Sequence, residues 1–292
     1  MFTVVIPTYN SSSTIKSTLD SVCRQNRDLI SKVIVVDDCS SDSNELCKVI
    51  ESFRCSLDIL FLRNESNKNG SYSRNVGIKN SNSKYIAFLD ADDVWLDGHI
   101  EKYYKNILNL SFPVNVIFFS PFILTDTSGL ERDIRPKRPL SPGELVSEYV
   151  FFHGQHMQTS TFVVETSTAK KVLFDETLTR HQDSDFMMRA QKLGVEIKFI
   201  NIATSKYIFS QNDLAKRVAS GRISSLWCDD FLVSKSEYFS SKSSDGYLIN
   251  VKLRVCFFEK KYFNMAKVFY LVAKSMGFVK VCYYLFEKIS NR

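Results

Sequence analysis

Lys84-Tyr85-Ile86-Ala87-Phe88-Leu89-Asp90-Ala91-Asp92-Asp93 is an apolar, strand-like run that stops against three carboxylates within four residues. A continuous apolar run of this length reads as a strand buried on both faces. Working back towards the N-terminus, three more such runs appear at 58–63, at 32–37 (KVIVVD) and at 4–7. Helical patterns separate them. Ser12 or Ser13 is a candidate cap for a helix with Ile15, Leu19, Val22 and Cys23 on one face. Asp42 with Glu45 makes a capping-box-like start before Leu46, Val49, Ile50 and Phe53, and 72–80 reads as a third helix. The order β-α-β-α-β-α-β predicts an α/β sheet, mostly parallel and flanked by helices.

Downstream the alternation is less regular. A helix is expected over 98–110, a strand over 115–121, a Pro- and Arg-rich loop over 134–142, a helix over 143–152, and a strand over 159–165. A helix over 183–193 and a strand over 196–200 follow, and from about 214 onward only helical periodicity remains, with a Ser-rich linker at 234–244. The expected division is 1–213 as one α/β domain, its halves about 1–110 and 111–213, followed by a basic, amphipathic helical extension over 214–292.

In open α/β sheets, ligands bind outside the carboxyl ends of the strands. Three polar clusters stand there: Pro7-Thr8-Tyr9-Asn10, then Asp37-Asp38-Cys39-Ser40-Ser41-Asp42, then Asp90/Asp92/Asp93. Any one of them also suits a solvated turn or a helix cap; three in this order point to one rim. The first strand-to-helix turn is Pro-Thr-Tyr-Asn-Ser-Ser-Ser, without the glycines that bring backbone to a pyrophosphate, and no P-loop pattern occurs. The missing glycine-rich start also argues against a nucleotidyltransferase. A diphosphate bound at this rim needs another source of positive charge, and a hard divalent cation held by one or two carboxylates and phosphate oxygens supplies it.

The string VVIPTYN…TLDSV…VIVVDDCSSD…GSYSRNVGI…YIAFLDADD…QDSDFMMR resembles glycosyltransferase family 2, over about the first 200 residues. The resemblance implies a GT-A type, Rossmann-like fold and an inverting transfer of a hexose from a nucleotide sugar, most simply a UDP sugar. It implies that Pro7, Thr8, Tyr9, Asn10 and Asp38 hold the nucleotide, with Asp38 accepting from the uracil imide. Arg74 is expected near the diphosphate, Asp90 and Ala91 beside the ribose or donor sugar, and Asp92 on Mn²⁺ or Mg²⁺. The family's base sits in a Glu-Asp pair opening a helix. Here the matching stretch is His181-Gln182-Asp183-Ser184-Asp185, so Asp183 takes the base position and Gln182 replaces the Glu. Asp185 is a rival, although i and i+2 do not share a helix face, and Asp183 also suits a cap carboxylate on first-turn amides. Asp93, His156, Gln158, His181 and Gln182 are candidate acceptor or phosphate contacts. His153 and His156 have H-x-x-H spacing, but Gly154 intervenes and a third ligand is missing, so a zinc site is not expected.

Composition bounds the rest. A content of 44% hydrophobic and 24% charged residues describes a globular chain that buries a core. Seven scattered cysteines without a C-x-x-C pair fit reduced thiols, and the N-terminal run reads as a strand, not a secretory signal. No apolar run approaches the roughly 20 residues of a membrane span. The net charge of +6 belongs to the C-terminus: 250–292 carries nine Lys/Arg against two Glu, which leaves the remainder nearly neutral. Two amphipathic helices broken near Gly277, with Lys beside apolar positions, are the pattern that meets anionic lipid; a helical pair packed with its Lys face in water is the plainer alternative. Nucleic-acid binding is disfavoured, because the basic residues avoid the α/β body. The expected partners are a nucleotide-sugar donor, a polyprenyl-diphosphate-linked sugar acceptor in O-antigen or capsule-type assembly, and an anionic membrane surface. The expected location is the cytoplasm, peripheral on the inner face of the cell membrane. A nucleotide-sugar-binding protein without catalysis and a protein acceptor are the alternatives.

Overall fold

The computed structural model describes residues 1–209 and 213–281. In chain order the regular elements are β1 (Phe2–Thr8), α1 (Ile15–Cys23), β2 (Ile30–Asp37), α2 (Ser43–Phe53), β3 (Ile59–Arg63), α3 (Gly70–Lys79) and β4 (Tyr85–Phe88). Then come β5 (Val94–Trp95), α4 (His99–Asn109), β6 (Val116–Phe119), β7 (Phe122–Asp126), β8 (Glu131–Arg135), β9 (Val163–Glu165), α5 (Thr166–Val172), α6 (Gln182–Lys192), β10 (Glu196–Phe199) and β11 (Ser205–Phe209). The C-terminal helices are α7 (Asp213–Ala219), α8 (Ser225–Ser234), α9 (Ser241–Tyr247), α10 (Leu253–Phe258) and α11 (Tyr262–Met276).

The expected α/β sheet is present. Seven strands run in the order β10-β6-β9-β4-β1-β2-β3. β1 pairs parallel with both β2 and β4, β2 with β3, and β6 with β10; β9 is the one antiparallel member. β1 is buried along its whole length, as a central strand covered on both faces requires. Pro7 is tolerated because the β1–β4 ladder has already ended at Val5–Phe88. Phe2, Val4, Ile6, Val33, Val35, Tyr85 and Ala87 join Leu19, Leu46 and Ile100 from the helices in one core.

A second sheet, β5-β11-β7-β8, was not expected from the sequence. Its strands are short, and two of them fall in stretches without a clean period: Ile134 and Arg135, read as loop, are the end of β8. Other local expectations are corrected too. Residues 159–161 form a 3₁₀ turn and only Val163–Glu165 is strand. Neither Ser12 nor Ser13 caps α1, which starts after Thr14 without a side-chain cap. Asp42 precedes α2 but does not cap it: its Oδ2 accepts from the Ser12 amide at 2.8 Å, which ties the β1 and β2 turns together.

Contacts divide the chain into two compact units, Met1–Leu140 with His156–Ser210, and Ser141–Gln155 with Gln211–Arg292. The first unit ends at Ser210, and 141–155 groups with the C-terminal helices. Gly246 of α9 lies so close to the 151–152 backbone that a Cβ would sit 2.5 Å from Phe152 Cα, and Ser240 and Lys242 both reach Glu148. The Ser-rich stretch is no linker, because Ser240 and Ser243 form a reciprocal cap on α9. In α11, Val268 and Val272 are buried, while Phe263, Lys267, Tyr270 and Lys274, spaced i, i+4, i+7, i+11, form one exposed stripe. Gly277 ends α11 at φ +88°; the expected second tail helix lies mostly in 282–292, outside the described residues. Among the described residues no helix is long and apolar enough to cross a membrane.

Candidate active site

Besides the acidic turn after β4, four turns at the carboxyl ends of the central strands and at helix starts build the site. Each contains a non-glycine residue in the left-handed region: Asn10 (φ 51°), Cys39 (φ 62°), Asn69 (φ 82°) and His181 (φ 60°). Such residues are uncommon and cluster where surrounding structure dictates the backbone.

The first two turns are stitched together. Asn10 N–H donates to Ser40 Oγ at 2.9 Å, and Asn10 Oδ1 accepts from Ser41 N–H at 2.9 Å. Pro7 and Thr8 are buried, whereas Tyr9 and Asn10 are exposed at the rim. Asp37 and Asp38, neighbours in sequence, do different work. Asp37 is interior and braces the start of α2, accepting from Ser40 N–H at 3.0 Å and Ser43 Oγ at 3.1 Å, with Arg63 Nη1 at 3.3 Å. Asp38 gathers neutral donors: Asn64 Nδ2 at 2.8 Å, Lys68 N–H at 3.0 Å and Asn69 N–H at 2.7 Å. It thereby pins the loop that leads into α3, whose first amides are capped by Asn69 Oδ1.

That pinned helix delivers Arg74. Its guanidinium is buried, lies 5.4 Å from the Phe174 ring centroid, and places Nη2 at 2.5 Å from Asp90 Oδ1 and Nη1 at 2.9 Å from Gln182 Oε1. Among the described residues, the buried Arg74 Nε has no hydrogen-bond partner. Asp183 follows Gln182 in the first turn of α6, half-buried, with Oδ1 accepting from the Ser184 amide at 2.8 Å. Burial pushes the Asp183 carboxyl above the ordinary carboxylate range, the Asp90 charge adds to this, and the Ser184 amide and Arg74 oppose it. Arg74, Asp90, Gln182 and Asp183 are therefore one cluster, drawn from three segments far apart in sequence. The rival Asp185 is fully buried and paired with Arg189, whose Nε lies 2.7 Å away.

The acidic turn after β4 separates its members sharply. Asp92 is exposed. Asp93 is fully buried, its Oδ2 accepting from Ser160 Oγ at 2.6 Å and from Gln158 Nε2. Ser160 Oγ also accepts from Asp90 N–H at 2.9 Å, and the Thr18 hydroxyl sits 3.0 Å from the Ala91 carbonyl and 2.9 Å from that of Asp93. Burial, then the charges of Asp92 and Asp90, push the Asp93 carboxyl well up. Asp93 and Gln158, expected as acceptor or phosphate contacts, both face inward and shape the turn that presents Asp90 and Asp92. His156 is exposed, 3.4 Å from Arg135 Nη1, and His181 is the residue that precedes α6. Sequence reasoning missed Ser160 and Gly70, whose roles depend on partners many residues distant.

The donor set suits a cation shared with substrate. Among the described residues no group of three His, Cys, Asp or Glu side chains forms a cage. An exposed carboxylate at Asp92, beside the Arg74-bound Asp90, fits an ion completed by phosphate oxygens.

The family described as Glycosyl transferase family 2 matches residues 3–161. The chain is 38% identical over 206 residues to the amylovoran biosynthesis glycosyltransferase AmsB of Erwinia amylovora, covering 69% of this chain and 67% of that one. It is 28% identical over 224 residues to the minor teichoic acid biosynthesis protein GgaA of Bacillus subtilis, covering 72% and 47%. The fold superimposes on the crystal structure of S. aureus TarS 1-349 in complex with UDP-GlcNAc with a TM-score of 0.61, at 18% identity, over 94% of this chain and 81% of that one.

Proposed function

The chain belongs to glycosyl transferase family 2 and is a glycosyltransferase; from that premise we propose that it is inverting and metal-dependent, moving a hexose from a UDP sugar to a hydroxyl of a polyprenyl-diphosphate-linked oligosaccharide. The observation that carries the reading is the Asp183 carboxyl, held beside Arg74 and Asp90 with its proton affinity raised by burial. A carboxylate in that state takes a proton from an alcohol more readily than an ordinary one, and a positioned base contributes about 10²–10⁴-fold in rate. Asp183 removes the acceptor hydroxyl proton as the acceptor oxygen bonds to the sugar's anomeric carbon. The bond from that carbon to the diphosphate breaks on the opposite face, which inverts the configuration.

Arg74 supplies positive charge to the departing diphosphate. Pro7, Thr8, Tyr9, Asn10 and Asp38 form the nucleotide end of the pocket, with Asp90 and Ala91 at the ribose or sugar. Asp92 is the residue assigned to Mn²⁺ or Mg²⁺, which when bound compensates charge on the leaving group as a Lewis acid. His156 and His181 are assigned to the acceptor side, and Gln182 to the phosphate side through Arg74.

A UDP sugar is favoured by the likeness to a protein crystallised with UDP-GlcNAc, and a role in polysaccharide assembly by relatives named for amylovoran and minor teichoic acid biosynthesis. The division of labour is transfer on 1–213 and attachment to the inner face of the cell membrane on 214–292. The exposed Phe263, Lys267, Tyr270 and Lys274 stripe supports the latter, because aromatic and cationic side chains together suit an anionic lipid interface. The test is a panel of UDP-, GDP- and dTDP-sugars assayed for Mn²⁺-dependent hydrolysis. Release of UDP from one UDP sugar, lost in Asp92→Ala, is the expected result; turnover unaffected by metal chelation overturns the reading.

A further inference from the structure

Gln182 is half-buried in the first turn of α6, directly before Asp183. Its amide is engaged at both ends. Nε2 donates to the Leu178 carbonyl at 2.7 Å and Oε1 accepts from Arg74 Nη1 at 2.9 Å. Gly70 lies against that second bond: a Cβ at position 70 would be 3.0 Å from Arg74 Nη1 and 3.4 Å from Gln182 Oε1. The bond joins two helices whose residues are 108 positions apart. On its other side Arg74 meets one carboxylate, Asp90.

We propose that Gln182 is a positioning residue whose neutral amide ties the Arg74 guanidinium to the helix that carries Asp183, leaving Arg74 with a single carboxylate partner. The proposal rests on the reading of Asp183 as base and of Arg74 as the diphosphate's cation. The amide oxygen is an acceptor without a full charge. It orients the arginine fork without neutralising it, so the cation stays available to an incoming diphosphate. A carboxylate in its place bonds Arg74 more strongly and sets a second negative charge beside Asp183. The charged groups that act on Asp183 are Arg74 from α3 and Asp90 after β4; on its own helix Asp185 is turned inward and paired with Arg189. Gln182→Glu adds a negative charge to this set, whereas Gln182→Met adds none.

Three variants test this, with UDP as the probe and the full chain as the protein. Gln182→Glu is expected to weaken UDP binding about tenfold and to move the acid limb of kcat/KM up by about one pH unit, the size expected of a nearby like charge. Gln182→Met keeps the volume but neither hydrogen bond. It is expected to lower kcat at least tenfold with the acid limb moved less than in the Glu variant, because it misplaces Arg74 without adding a charge. Gly70→Ala, which presses on the same bond, is expected to repeat the Met variant's pattern more weakly. A Gln182→Met enzyme with wild-type kcat and UDP affinity overturns the proposal, as does a Gln182→Glu enzyme whose acid limb and UDP affinity stay put. Failure of the base reading looks different: Asp183→Asn would retain transfer, while the UDP affinities of the Gln182 variants would still report on the tie to Arg74.

Discussion

The sheet-bearing unit and the helical unit use apolar side chains in opposite ways. In the first, Val4, Ile6, Val33, Val35 and Ala87 are fully buried, and the carboxylates at the strand ends are held by buried hydroxyls and amides. In the second, a small cluster of Ile249, Val268, Val272 and Val281 is buried, while on α11 Phe263 is 83% exposed and Tyr270 is 65% exposed. A packed interior fixes polar groups to a few tenths of an ångström, which chemistry needs. An exposed aromatic and lysine stripe fixes nothing inside the protein; it suits a surface outside it.

The comparison breaks if the chemistry moves with the helical unit, or if the surface behaviour moves with the sheet. The largest effect is expected for Asp183→Asn: transfer falls by roughly 10²–10⁴ while UDP binding measured by calorimetry stays near wild type. The same substitution is expected to raise the thermal midpoint at neutral pH. A carboxyl whose folded pKa is raised subtracts stability once pH exceeds its ordinary value of about 3.9, so a neutral amide there removes a penalty.

Next in size is an acid dependence carried by His99. It is fully buried, stacked on Trp95 at 4.0 Å, with Nδ1 3.0 Å from the Thr204 carbonyl, and burial lowers its pKa to about 3. The folded state therefore binds fewer protons than the unfolded one between about pH 6.5 and that value. Stability present above pH 6.5 is lost as pH falls, by at most about 1.4 kcal/mol per pH unit. Denaturant titrations at several pH values are expected to show this slope flattened in His99→Gln.

Gly77→Ala is expected to cost about 1–3 kcal/mol, because its Cβ would sit 2.3 Å from Val5 Cγ1, where α3 lies on β1. UDP affinity should fall with it, since α3 carries Arg74, and Val5→Ala in the same chain should restore part of both. The smallest effect on chemistry belongs to Phe263→Ser with Tyr270→Ser. Binding to phosphatidylserine vesicles is expected to drop about tenfold, given ~0.8 kcal/mol per buried methylene, with UDP-sugar hydrolysis unchanged. A parallel loss of hydrolysis would erase the distinction between the units.

The first four strands were legible because each is a continuous apolar run closed by polar residues, and that is what a buried parallel strand looks like in one dimension. The candidate rim was legible for the same reason: it begins where those runs stop. The second sheet was not, because β5 is two residues long and pairs with β11, more than a hundred positions away. The contrast between Asp92 and Asp93 was equally hidden. Nothing local says which of two adjacent carboxylates turns inward; Ser160 and Gln158 decide it from 65 or more residues downstream. Asp42 misled because its sequence suits a cap, yet the Ser12 amide, 30 residues upstream, is the donor it meets.

The left-handed backbone at Asn10, Cys39, Asn69 and His181 bears on how this enzyme ages with heat. Conformations of that kind hold roughly 1–3 kcal/mol each and persist only while neighbouring contacts enforce them. Warming should therefore release these corners by local opening well before the strands separate, with amide exchange quickening there first. The temperature at which turnover fades would then sit below the melting point, set by four single residues and not by the bulk of the protein.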